Sequence, residues 1–243
     1  MLKKLKICFT KEFNFYFQSK MAYLLFFIYT AMTTSIMFYT SDFYSNTTAN
    51  FYQFFKLQPG VMAMIIPAIT MRLWADEYRN NTLEILLTQP VSYLVIVLGK
   101  FLAAWSIVGI MFVFSMGVWG ATSFVVEMDS SWILINYALA MLMSGVLCAV
   151  SMLVASLCYN TLGAFLVALI VCIILISVSF GGWISSFIPE NVFLMRLFTA
   201  FDLGRLYEDM ILGQPNIAAL LYFVLLICFA IWLSIIAVEY KRS

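Results

Sequence analysis

The chain has 243 residues, 64% of them hydrophobic and 10% charged, with a net charge of +1 and a mean hydropathy of +1.00. Soluble domains use roughly 45–50% apolar residues, so this composition excludes a water-soluble globule and makes lipid the natural solvent. With no histidine anywhere, the commonest general base and metal ligand is missing, and HExxH peptidases and imidazole-held haem are excluded with it.

The first twenty residues carry Lys3, Lys4, Lys6, Lys11 and Lys20 with Glu12 as the only acid, and no apolar run ending in a small-residue cleavage site. This pattern predicts a retained cytoplasmic amphipathic helix, with Leu2, Leu5, Ile7, Phe9, Phe13 and Phe17 able to lie on the membrane surface. About 20 apolar residues cross a bilayer. By that measure spans are expected near residues 21–40, 54–73, 93–126, 131–157, 163–187 and 217–238. Lys56 and Arg72 are expected to snorkel at the two ends of the second span, and Lys100 falls near the start of the third. Between Ser130 and Pro189 there is no charge, and Tyr159-Asn160-Thr161-Leu162-Gly163 supplies the turn that divides two spans there. Residues 188–214 are too polar to span and too apolar for a free loop. Leu194, Leu197, Phe198 and Phe201 recur at helical spacing, which predicts short external helices that lie in the interface or re-enter it. The expected fold is an all-α integral membrane protein: six transmembrane helices, an N-terminal amphipathic interfacial helix, and short external helices between spans five and six.

Basic residues orient this layout. With the N-terminus inside, ten of them (Lys3, Lys4, Lys6, Lys11, Lys20, Arg72, Arg79, Lys100, Lys241 and Arg242) are cytoplasmic. Three, namely Lys56, Arg196 and Arg205, are external. Both termini are therefore expected in the cytoplasm, with the chain multi-pass in its membrane.

Chemistry of the catalytic kind is not visible. There is no GxxxxGK[ST] phosphate loop, no CxxC pair, and no charge in the interior of spans one, four, five and six, where proton-coupled carriers usually keep a carboxylate. The polar feature that stands out is the stretch Ala75-Asp76-Glu77-Tyr78-Arg79-Asn80-Asn81-Thr82-Leu83-Glu84, in which five charges fall between Arg72 and Glu84. Each would cost about 2.5–3.5 kcal/mol in lipid on insertion scales, so the stretch must sit in water or against another protein. Thr82 can cap a short helix running to about Leu87, with Leu83, Leu86 and Leu87 on one face and Glu84 at its positive end, before a break at Pro90. Physics alone leaves two readings open: a docking helix for a soluble partner, or a solvated connection.

The block Pro67-Ala68-Ile69-Thr70-Met71-Arg72, Glu77, Thr82-Leu83-Glu84-Ile85-Leu86-Leu87-Thr88-Gln89-Pro90-Val91-Ser92 and Leu98-Gly99-Lys100-Phe101 resembles the core motif of ABC-2-type ABC transporter permeases. The likeness leans toward the gliding-motility and nitrous-oxide-reductase-accessory branch. It implies one transmembrane domain over residues 1–243 in a bacterial cytoplasmic (inner) membrane, acting as the non-catalytic permease of an ATP-driven exporter or flippase. It also implies two copies of a separate ABC ATPase that bind ATP and magnesium, a second permease protomer (the same chain or another), contact with membrane lipid, and no cofactor or metal in this chain and no nucleic acid. Residues 76–90 would form the coupling helix region, with Asp76, Glu77, Arg79, Thr82, Leu83, Glu84, Leu86, Leu87 and Pro90 docking the ATPase. Asn81 stands where the family pattern has glycine, and residues 76–81 are less charged than the family's stretch. A membrane scaffold that recruits a soluble partner without transport is the alternative reading. Substrate identity is not written in this sequence.

Overall fold

The structure, a computed structural model, describes residues 2–40, 51–79, 92–123, 129–177, 203–213 and 217–240. All secondary structure among these residues is α-helical. In chain order the helices are α1 (Leu2–Gln18), α2 (Lys20–Thr40), α3 (Phe51–Thr70), α4 (Arg72–Arg79), α5 (Tyr93–Ser123), α6 (Ser130–Leu157), α7 (Thr161–Ser177), α8 (Leu203–Ile211) and α9 (Ile217–Tyr240).

Among the described residues, five stretches are long and apolar enough to cross a membrane: α2, α3 continued into the start of α4, α5, α6 and α9. The expected fifth span begins as α7, an apolar helix of 17 residues. Its expected continuation to residue 187 lies outside the described residues, as does the end of the third span beyond residue 123. α8 is a helix within residues 188–214, where short helices were expected, and Leu194, Leu197, Phe198 and Phe201 lie outside the described residues.

Local sequence explains the boundaries. Ser19 separates α1 from α2 and caps the second, its Oγ accepting from the Met21 amide at 3.3 Å. Asp129 caps α6 in the same manner, accepting from the amides of Ser131 at 2.9 Å and Trp132 at 3.4 Å. The turn expected at 159–163 is found as three residues between α6 and α7, and Asn160 Oδ1 accepts from the Leu162 amide at 3.1 Å.

α3 and α6 form the centre. Of their apolar stretches 67% is buried, against 22% for α2 and α9, which line the outside of the bundle. α6 packs on α3, α5, α7 and α9, and α3 also touches α2, α7 and α8. Around the upper half of α3, Phe54, Phe55 and Tyr137 meet edge to face, with centroids 5.1 Å apart for Phe55–Tyr137. Pro59 and Pro67 both lie inside α3. Neither has an N–H to donate one turn back, so each removes a rung of the helix ladder. At Pro59 the carbonyl that loses its partner is Phe55, and the Tyr207 hydroxyl of α8 donates to it at 3.2 Å. α3 ends at Thr70 and the chain turns at Met71 into α4. A helix leaves its last carbonyls without internal donors, and here the Tyr16 hydroxyl of α1 donates to the Ile69 carbonyl at 2.8 Å. Two tyrosines from distant parts of the chain thus donate to carbonyls of α3.

Candidate functional site

α1 lies across the first turns of α5. Its inward positions, Leu5, Cys8, Phe9, Glu12, Phe13 and Tyr16, recur at helical spacing and are partly or fully buried, while Lys3, Lys4, Lys6 and Lys11 are exposed. The close approach depends on Gly99, because a Cβ there would stand 2.9 Å from the Cys8 Cβ. With Cys8 against Gly99, Glu12 comes one turn further along α1 and faces Lys100.

Lys100 is the centre of the arrangement. Its side chain is 2% exposed, and an ammonium has three N–H donors to place. One goes to the Leu73 carbonyl at 2.6 Å, one to Glu77 Oε1 at 2.9 Å, and one to Glu12 Oε1 at 3.1 Å. Leu73 and Glu77 are four residues apart on α4, so they share a face. The adjacent Trp74, fully buried, holds its ring 5.0 Å from the ammonium, a distance at which the ring's negative face attracts a cation. Two carboxylates and one ammonium are thus gathered where three helices meet. Desolvating such ions costs several kcal/mol each unless every one is paired, and the geometry provides that pairing.

Further links surround the hub. Arg72 Nη1 donates to Ser19 Oγ at 2.9 Å, so the start of α4 is tied to the elbow between α1 and α2. Arg72, expected to reach toward the interface from the end of the second span, is bonded where α1 turns into α2. Lys56, expected to do the same from the other end, is paired with an acid. At the opposite end of α3, Glu208 of α8 accepts from Lys56 Nζ at 2.6 Å and from the Tyr52 hydroxyl at 2.7 Å. Burial alone would raise the Glu208 carboxyl, but the hydrogen bonds from Lys56 and Tyr52 outweigh it and hold the group below its ordinary value. Between the two ends the core carries a polar contact, Gln58 Nε2 donating to the Tyr29 hydroxyl, with both side chains buried.

The sequence-derived docking residues are distributed as follows. Asp76, Glu77 and Arg79 belong to α4. Glu77 has its carboxylate turned onto Lys100, with 13% of its side chain exposed. Thr82, Leu83, Glu84, Leu86, Leu87 and Pro90 lie outside the described residues. Sequence reasoning missed α4 as a helix and missed Lys100 as the partner of Glu12 and Glu77. A signal for the second existed: Lys100 sits in the second turn of an apolar helix and has no acid within a turn of it on either side.

In chemical terms the hub is a connector. Lys100 has no donor left to offer a substrate, and among the described residues no group of three His, Cys, Asp or Glu is disposed to hold a metal ion. What the arrangement can do is make α1, α4 and the start of α5 move together.

Compared with known proteins, residues 7–195 match the family described as ABC-2 family transporter protein. That range takes in Glu12, Glu77 and Lys100. No curated protein matches the chain.

Proposed function

We propose, on the premise that this chain belongs to the ABC-2 family of transporter proteins, that it is the membrane permease of an ATP-driven exporter or flippase. In this reading it pairs with a second permease protomer and is worked by two copies of a separate ATPase, which bind and hydrolyse ATP. Residues 76–90 form the coupling region, and Asp76, Arg79, Thr82, Leu83, Glu84, Leu86, Leu87 and Pro90 face the ATPase. Glu77 serves the same region from behind, fixing α4 to the bundle.

The observation that carries this reading is the Lys100 hub. α4 leads directly into residues 80–91, and Lys100 holds α4 to both α5 and α1. A push delivered to residues 80–91 would otherwise go no further than α4. With the hub intact it reaches a membrane-spanning helix and the N-terminal helix at once.

The test is made on the loop. Glu84→Arg and Leu86→Asp are expected to weaken co-purification of the ATPase, or to uncouple its hydrolysis from transport, with expression and insertion unchanged. Charged hydrogen bonds contribute about 1.5–3 kcal/mol, enough for a ten-fold or greater loss of association. Asn50→Arg, in the segment expected outside the membrane between the first two spans, is expected to leave assembly intact. Wild-type association and substrate-stimulated turnover in both loop variants would refute the assignment.

A further inference from the structure

We propose that the outer face of α1 is a docking surface for anionic phospholipid headgroups, so that the protein distinguishes negative from zwitterionic membrane. The inference needs only that the chain spans a membrane, and goes beyond its coupling to an ATPase.

Charge is the first argument. Of the ionisable residues in 2–20 the lysines, Lys3, Lys4, Lys6, Lys11 and Lys20, are all exposed, and Glu12 is the only acid. Glu12 points the other way, 3.1 Å from Lys100 and 13% exposed. The buried cation thereby engages the one carboxylate of this segment, and the exposed charges of residues 2–20 are all basic. Basic residues near a negative leaflet attract it additively, each by about five-fold in an equilibrium.

Position is the second argument. Only Ser19 lies between α1 and α2. α2 has 21 residues, about 31 Å at the α-helical rise, which is the full thickness of the hydrocarbon layer. None of its length is spare for a stalk, so Lys20 stands at the headgroup level and α1 with it. Composition is the third argument. Leu2, Ile7 and Phe15 are 81%, 69% and 46% exposed. They sit among the lysines, Phe15 one turn beyond Lys11, in the pattern of a helix that combines shallow apolar insertion with headgroup attraction. An acidic protein surface would match the charge but would leave these three apolar side chains without a reason.

The experiment uses the full-length chain in detergent, offered equal amounts of phosphatidylglycerol and phosphatidylcholine, with bound lipids counted by native mass spectrometry. The parent is expected to retain phosphatidylglycerol preferentially. The preference should fall at least about ten-fold when Lys3, Lys4, Lys6 and Lys11 are changed together to Gln. It should persist when the same four are changed to Arg. Raising salt on the unmodified chain from about 0.05 to 0.5 M should abolish it by screening, which keeps the test alive if the Gln variant folds poorly. Equal retention of the two lipids by the parent, or an undiminished preference in the Gln variant, overturns the proposal. So does a Gln variant that keeps its lipid preference and loses a co-purifying protein, which would assign the face to that protein. Loss of lipid preference with ATPase association intact separates this surface from the loop at 76–90.

Discussion

Lys100 and Glu77 stand 2.9 Å apart although they are 23 positions apart in the chain, and the bond ties α4 directly to α5. Glu12 completes the triad from a third helix at 3.1 Å. A buried ion cluster of this kind is rarely the cheapest way to fill space, since apolar side chains of equal volume often do as well or better. Its merit is directional: three helices can satisfy it in one relative placement only.

Lys100→Met is therefore expected to be severely destabilising. It leaves two carboxylates in a dry site without a counter-ion, a loss of about 3–5 kcal/mol. The triple variant with Glu12→Gln and Glu77→Gln removes the charges as well and is expected to recover most of that loss. Thermal unfolding of the solubilised chain measures both. A single variant as stable as the parent would contradict the geometry of the hub.

The contact of α1 with α5 predicts a second outcome. Gly99→Ala puts a Cβ 2.9 Å from that of Cys8, too close for either backbone to remain where it is. Overpacking of this sort costs about 1–3 kcal/mol. α1 is expected to lift, and the half-buried Cys8 thiol to react several-fold faster with a thiol reagent. Cys8→Gly in the same chain gives the space back, so thermal stability should return toward that of the parent. An unchanged Cys8 reaction rate in Gly99→Ala would show that α1 does not rest on this glycine.

At the other end of the bundle the Glu208 carboxyl is held low by Lys56 and Tyr52. A depressed carboxylate contributes stability that is complete above its ordinary value, about 4.3, and lost as pH falls through the lowered one. Hydrogen exchange of residues 203–213 is thus expected to have no extra opening between pH 7 and 5, once the intrinsic rate is corrected. It should accelerate only in stronger acid. Glu208→Gln should already exchange faster at pH 7 and show little further response. Faster opening as pH rises from 5 to 7 would reverse the sign and refute the latch.

Orientation can be read from single cysteines in a background without the native ones. Labels at Ser45 and Asn216 are expected to react with an impermeant reagent from outside, and labels at Asn80 and Arg242 are not. Reaction of position 80 in sealed cells would refute the six-span, cytoplasmic-termini arrangement.

Five of the expected spans were legible because their signal is additive: twenty apolar residues in a row specify a membrane helix whatever their order. The N-terminal helix was legible from Leu2, Leu5, Ile7, Phe9, Phe13 and Phe17, but of these Leu5, Phe9 and Phe13 lie on the face turned to α5 rather than being left for the membrane surface. α4 was not, because Asp76, Glu77 and Arg79 announce exposure to water, and local polarity says nothing of the turn at Met71 or of the helix beyond it. Lys100 and Glu208 were hidden for a different reason. Each is a single charge whose partner lies far away in the chain, 88 positions for Glu12 and 152 for Lys56, and pairings at that range have no periodicity to read. As for the docking residues themselves, Glu77 is the one whose side chain the structure describes, and it faces inward. The sequence marked its region correctly as polar but could not say which side of the helix Glu77 occupies.

The rung missing at Pro59 has a dynamic consequence. Tyr207 fills it from α8, so the rigidity of α3 is partly borrowed from a helix outside its own segment. Pull α8 away and the Phe55 carbonyl is left unsatisfied in apolar surroundings, at a cost of about 1–3 kcal/mol. α3 is then expected to bend at the proline until that oxygen finds another donor. The central helix behaves as a spring whose stiffness is set by its neighbour, and a molecule that disturbs α8 would be felt in the flexing of α3 without touching it.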